Sequence, residues 1–216
     1  MVRSGNIDFI KAMVKWAPSP NPRSIIGYTP LHWAAAEGHL EICRIIMDTL
    51  EKKNPANDKG ITPLHWAASN GRLKVCKLLM GTLEQKNPAD DKGNTPLHDA
   101  ASCGHLEICQ IIMDTLKQKN PADAKGYTPF HWTALYGHIE VCKLFMDTLR
   151  QKNPKNRRTG MTPLHLAAMK GHLEVCRLIC DNIEDRYPVD SARNTPFDCA
   201  KGKRKYEVCN LLSKYR

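Results

Sequence analysis

Nine histidines and nine cysteines are where chemistry would first be sought in this chain of 216 residues. Five of the histidines (His32, His65, His98, His131 and His165) close a T-P-x-H motif, and His39 and its kin follow in a Gly-His pair. A metal centre or an acid–base pair needs side chains of complementary type converging on one point. Here each histidine returns with the same neighbours, so the pattern points to a repeated structural task. No Ser/His/Asp set, Gly-rich phosphate loop or pair of carboxylates stands apart from the repetition. The expectation is a non-enzyme that carries no metal and no cofactor.

Six cysteines (Cys43, Cys76, Cys109, Cys142, Cys176 and Cys209) likewise share one register. Neighbours in a column one repeat apart lie roughly 10 Å from each other in helix packing, beyond the ~7 Å a disulfide tolerates. They read as small buried thiols of a core. Cys103, Cys180 and Cys199 fall outside the column, in no catalytic setting.

The elements that position these residues are copies of one unit. Thr-Pro recurs at Thr29, Thr62, Thr95, Thr128, Thr162 and Thr195, in steps of 33, 33, 33, 34 and 33 residues. Such a period marks a stack of supersecondary units in place of one globular core. Within a unit, Thr62 suits a helix N-cap and Pro63 the first helical position. Leu64, Ala67 and Ala68 give that short helix a small face for close approach, and Gly71 ends it. Leu73, Val75, Cys76, Leu79, Met80 and Leu83 then follow helical spacing, with Lys74 and Lys77 on the far side. Asn87-Pro88-Ala89-Asp90-Asp91-Lys92-Gly93 is turn chemistry that can project as a finger.

These residues resemble the ankyrin repeat over essentially the whole chain. T-P-L-H stands at Thr29–His32, Thr62–His65, Thr95–His98 and Thr162–His165, T-P-F-H at Thr128–His131, and G-H-L-E at Gly38–Glu41, Gly104–Glu107 and Gly171–Glu174. The resemblance implies an all-α solenoid of stacked helix–turn–helix units with hairpin fingers, forming one domain over 1–216. Full repeats are expected at 27–59, 60–92, 93–125, 126–159 and 160–192, an incomplete first repeat at 1–26 and a capping repeat at 193–216. The first unit begins at the end of a missing helix, so the chain is expected either to be cut from a longer protein or to have that end covered. Where the family places a glycine turn, Asp48-Thr49-Leu50-Glu51-Lys52-Lys53-Asn54-Pro55 has none, and the outer helix is expected to run one turn longer. In the last unit Arg193 replaces the finger glycine, Asp198 the histidine, and Arg204-Lys205 the Gly-His pair.

What the resemblance implies for function is protein recognition on a concave face, with the histidines knitting helix and finger backbones together. The family's gripping positions fall on Tyr28 and Glu37, on Ile61, Ser69 and Asn70, on Asn94 and Ser102, on Tyr127, Leu135 and Tyr136, and on Met161, Met169 and Lys170. Tyr127, Tyr136, Met161 and Met169 place two amphipathic rings and two adaptable thioethers on adjacent repeats, a candidate hot spot. Trp33, Trp66 and Trp132 follow the motif histidine, where Asp99 and Leu166 stand in the third and fifth repeats. They either pack on neighbouring helices or anchor a partner. Asn54, Asn87, Asn120 and Asn153 occupy the position at which ankyrin proteins can be β-hydroxylated, although proline follows each one here.

Charge is uneven. Of the net +10, residues 151–216 supply 7, holding 14 Lys/Arg against 7 Asp/Glu. Lys155-Asn156-Arg157-Arg158, on the finger with the extra residue, and Lys201-Gly202-Lys203-Arg204-Lys205, in the cap, are its clusters. An acidic protein segment, an anionic membrane surface, nucleic acid or plain solvation would each suit this surplus. Aromatic residues interleaved with the basic ones, as single-stranded nucleic acid binding needs, are missing apart from Tyr206. Apolar runs are too short to span a membrane, and no leader-like start is seen. A soluble monomer of the cytoplasm or nucleus is expected.

Overall fold

The computed structural model describes residues 21–215, so the first twenty residues of the incomplete repeat expected at 1–26 lie outside it. Twelve α-helices alternate between a short inner and a longer outer member of each unit among the described residues. The inner helices are α1 (Pro30–Glu37), α3 (Pro63–Ser69), α5 (Pro96–Ser102), α7 (Pro129–Tyr136), α9 (Pro163–Lys170) and α11 (Pro196–Gly202). The outer ones are α2 (Leu40–Asp48), α4 (Leu73–Thr82), α6 (Leu106–Asp114), α8 (Ile139–Thr148), α10 (Leu173–Asp181) and α12 (Tyr206–Ser213). This is an all-helical repeat solenoid.

Every inner helix begins the same way. A threonine in extended conformation caps it, proline takes the first turn, and threonine and the third helical residue bond reciprocally. A second cap comes from the preceding loop. The Oδ1 atoms of Asn54, Asn87, Asn120 and Asn153 accept the backbone N–H of Leu64, Leu97, Phe130 and Leu164, at 3.0 to 3.2 Å. These asparagines therefore satisfy a donor that the helix itself cannot pair.

Alanines at Ala34, Ala35, Ala67, Ala68, Ala100, Ala101, Ala134, Ala167, Ala168 and Ala200 are fully buried, and each inner helix packs on the next through them. The outer helices contribute the larger side chains of the core, among them Ile46, Leu79, Ile112, Phe145 and Ile179. The cysteine column lies between the two layers. Burial pushes the thiols of Cys43, Cys76 and Cys109 up to about 12 and raises Cys142 and Cys176 further, so these sulfurs stay protonated and unreactive at neutral pH. All nine cysteines are free.

One expectation about this framework is corrected. The outer helices do not run an extra turn: α2 stops at Asp48 and α6 at Asp114. The Thr49 hydroxyl donates to the Ile46 carbonyl at 2.7 Å, and the Lys53 ammonium reaches the Met47 carbonyl. Lys86 on Met80 and Arg186 on Cys180 do the same elsewhere. Cations on the last carbonyls close these helices without glycine, and Leu50, Leu83, Leu116 and Leu149 fold back onto the core.

Candidate functional site

The motif histidines are couplers between units. In each, Nδ1 accepts the backbone N–H of the capping threonine at 3.1 or 3.2 Å, which fixes the proton on Nε2. That Nε2–H donates forward to the next unit, from His32 to the Ile61 carbonyl, His65 to Asn94, His98 to Tyr127, His131 to Met161 and His165 to Asn194, at 3.0 to 3.2 Å. Burial drives the pKa of His32, His98 and His131 down to about 4 and lowers His65 and His165 as well. A second set reaches backward: His105, His138 and His172 donate to the carbonyls of Ser69, Ser102 and Leu135, and Arg72 donates to that of Ala36. With both ring nitrogens of the motif histidines committed to backbone, none is free to act on a ligand. Among the described residues no group of His, Cys, Asp and Glu could hold a metal ion.

The fingers form their own ladder. Asp58 N–H donates to the Ile26 carbonyl, Asp91 to Lys59, Ala124 to Lys92 and Ser191 to Thr159. Among the described residues the ladder has no rung between the third-repeat finger (residues 123–126) and the fourth (156–160). The extra residue of the 34-residue step lies inside that fourth turn. Asn156 N–H reaches the Met161 carbonyl five residues on, whereas Asn57, Asp90, Asp123 and Asp190 each reach four residues on. Gly126 is pressed against this enlarged turn, and a Cβ there would meet the Arg157 nitrogen at 2.3 Å.

An open groove of about 670 Å³ lies beside this gap. Its apolar lining is Tyr127, Trp132, Leu135, Met161, Leu166 and Met169, and Lys92, Lys125 and Arg158 edge it. Asp91 and Asp123 are present too; the Asp123 carboxylate is taken up by the turn, accepting the N–H groups of Lys125 and Tyr127, and Asp91 is exposed. Tyr127 leans on Trp132 at 5.4 Å between ring centroids and edges onto His131. Tyr136 lies outside this groove and stacks on the other side of Trp132, at 6.4 Å and 20°.

The structure thus brings Tyr127, Leu135, Met161, Met169 and Arg158 together with Asn94. It leaves Ile61, Asn70, Arg157 and Lys170 out of that groove. Asn70 is exposed and bonds the Trp66 carbonyl, Ile61 offers its carbonyl to His32, and Lys170 and Arg157 face solvent. Tyr28 joins a separate aromatic cluster with Trp33 and Trp66, the two tryptophans meeting edge to face at 4.8 Å. All three tryptophans and Asp99 are half-buried, while Leu166 is buried. Trp132, singled out in the sequence with Trp33 and Trp66, lines this groove, whereas sequence reasoning missed Leu166 and the missing ladder rung. The 34-residue step was the signal for the rung.

A search of curated proteins finds no match to the chain. A family model described as "Ankyrin repeats (3 copies)" matches residues 1–88, 50–122, 82–156 and 148–216, which together take in the whole sequence. Repeats of this kind generally mediate protein–protein interaction. With the capped helix pairs, the histidine couplers and the finger ladder in place, the chain belongs to the ankyrin-repeat family.

Proposed function

We propose that this chain is a non-catalytic interaction module that grips a protein partner on the concave face formed by its fingers and inner helices. The observation that carries this reading is the groove beside the broken finger ladder, where Tyr127, Leu135, Met161 and Met169 converge. Aromatic and thioether side chains in one open groove give large contact area at low ordering cost, and they are not required by the repeat. Lys92, Lys125 and Arg158 outnumber Asp91 at the edge and favour an apolar segment flanked by acidic residues. The free thiols and the lack, among the described residues, of a helix long and apolar enough to cross a membrane suit a partner in the cytoplasm or nucleus.

The test is affinity for the partner recovered on the wild-type chain, compared with a Tyr127→Ala/Met169→Ala variant and with Lys77→Ala on α4 as control. The groove variant is expected to bind at least about a hundredfold more weakly, and the control unchanged. Equal affinity in all three would sink the proposal.

A second reading is favoured by the exposure of Lys201, Lys203, Arg204 and Lys205 in the last unit. These could hold nucleic acid or an anionic membrane by charge alone. Binding would then fall steeply with salt and ignore the groove variant.

A further inference from the structure

A smaller pocket of about 190 Å³ adjoins the groove across Trp132, lined by Asn94, His98, Asp99, Ser102, Trp132 and Tyr136. Asp99 stands where other repeats carry tryptophan, leucine or, in the last unit, cysteine. Its carboxylate is half-buried, and among the described residues no ion pair reaches it. Trp132 and Tyr136 stack beside it, and Tyr136 is 54% exposed, so the ring pair opens to solvent. His98 brings no positive charge, since its imidazole is held neutral between the Thr95 N–H and the Tyr127 carbonyl. The Ser102 hydroxyl is turned to the Asp99 backbone carbonyl.

We infer that the pocket bounded by Asp99, Trp132 and Tyr136 receives a cationic side chain, a lysine ammonium or an arginine guanidinium, presented by the protein partner. The inference rests on the concave-face reading and adds a specificity to it. The pocket is smaller than the ~300 Å³ at which whole small-molecule sites begin, which fits one side chain. The exposed Tyr136 ring, with Trp132 stacked behind it, offers a face that carries the negative part of the ring quadrupole and attracts a cation. Burial, followed by the charge of Asp90, raises the Asp99 pKa to about 7. That marks an uncompensated carboxylate whose desolvation an arriving cation would offset. An acidic ligand would be repelled, and a neutral apolar one would leave the carboxylate unpaired.

The test is titration of the full chain with N-acetyl-lysine methylamide, read by NMR on the Trp132 indole and the Tyr136 ring. N-acetyl-norleucine methylamide serves as the neutral isostere. Asp99→Asn keeps the side-chain shape and removes a partly buried charge, and Tyr136→Ala trims an exposed ring, so both variants should fold, as circular dichroism checks. Saturable shifts with the lysine compound are expected, about tenfold weaker with norleucine and in each variant. Norleucine binding as tightly, undiminished lysine binding by Asp99→Asn, or no saturable shift in the wild type would each overturn the inference. The Tyr127/Met169 comparison reads a different cavity, so either proposal can fail alone.

Discussion

The five internal histidine junctions and the single junction of the last unit solve the same local problem with different residues. Inside the stack, a buried imidazole caps its own helix through Nδ1 and holds the next finger through Nε2. In the last unit Asp198 is exposed and performs the first task, accepting from the Thr195 N–H at 2.9 Å and from its hydroxyl at 2.6 Å. After Asp198 the described residues supply no further finger. Histidine is thus needed for coupling between units, and a carboxylate suffices for capping. The glycines tell the same story. Arg193 and Arg204 keep the left-handed backbone of the glycines they replace, at φ 64° and 57°, and the described residues supply no further unit beside them. At Gly126 the next finger leaves no such room.

The largest expected effect separating the two kinds of junction is acid unfolding. Folded His32, His98 and His131 titrate near 4, below the ordinary 6.5, and His65 and His165 are also lowered. The unfolded chain therefore binds more protons, and stability falls as pH drops from about 6.5 towards 4, by roughly 3 kcal/mol for each of the first three. Asp99, raised to about 7, acts in the opposite sense, costing stability as pH rises from about 4 to 7, but it is a single group. Urea midpoints measured from pH 7.5 to 4 should show a steep net loss, and a flat profile would break the account of the histidines as neutral couplers.

Next in size are single deletions. His98→Ala leaves the Thr95 N–H without its imidazole acceptor, removes one of the two donors to the Tyr127 carbonyl and opens a cavity, and should cost about 3 kcal/mol. Asp198→Ala removes an exposed cap and should cost about 1 kcal/mol. Equal losses in chemical denaturation would erase the distinction between coupling and capping. Smallest is a gain: Arg204→Gly relieves a left-handed residue and should stabilise by up to about 1 kcal/mol, seen as a small rise in Tm.

The scaffold was largely legible in the sequence, because T-P-x-H, the paired alanines and the cysteine register each act through local capping or close packing that repeats with the chain. The outer-helix ends were misread since α2, α4 and α10 are closed by a lysine or arginine folding back onto a carbonyl six residues earlier, a signal no glycine announces. Tyr127, Leu135, Met161 and Met169 could be singled out as departures from the repeat. Their meeting in one groove depends on an inserted residue widening a finger turn, and the share of Trp132 and Leu166 in it depends on packing between units. The pocket at Asp99 was visible only as an odd residue in a tryptophan register; the rings that make it a pocket belong to the next unit.

The most direct test of the central claim is site-specific photo-crosslinking, with a benzoylphenylalanine placed at Met169 in the groove or at Lys77 on α4. Partner adducts are expected at position 169 and lost when Tyr127→Ala is added. Adducts that form as readily from position 77, or survive Tyr127→Ala undiminished, would contradict recognition through the groove.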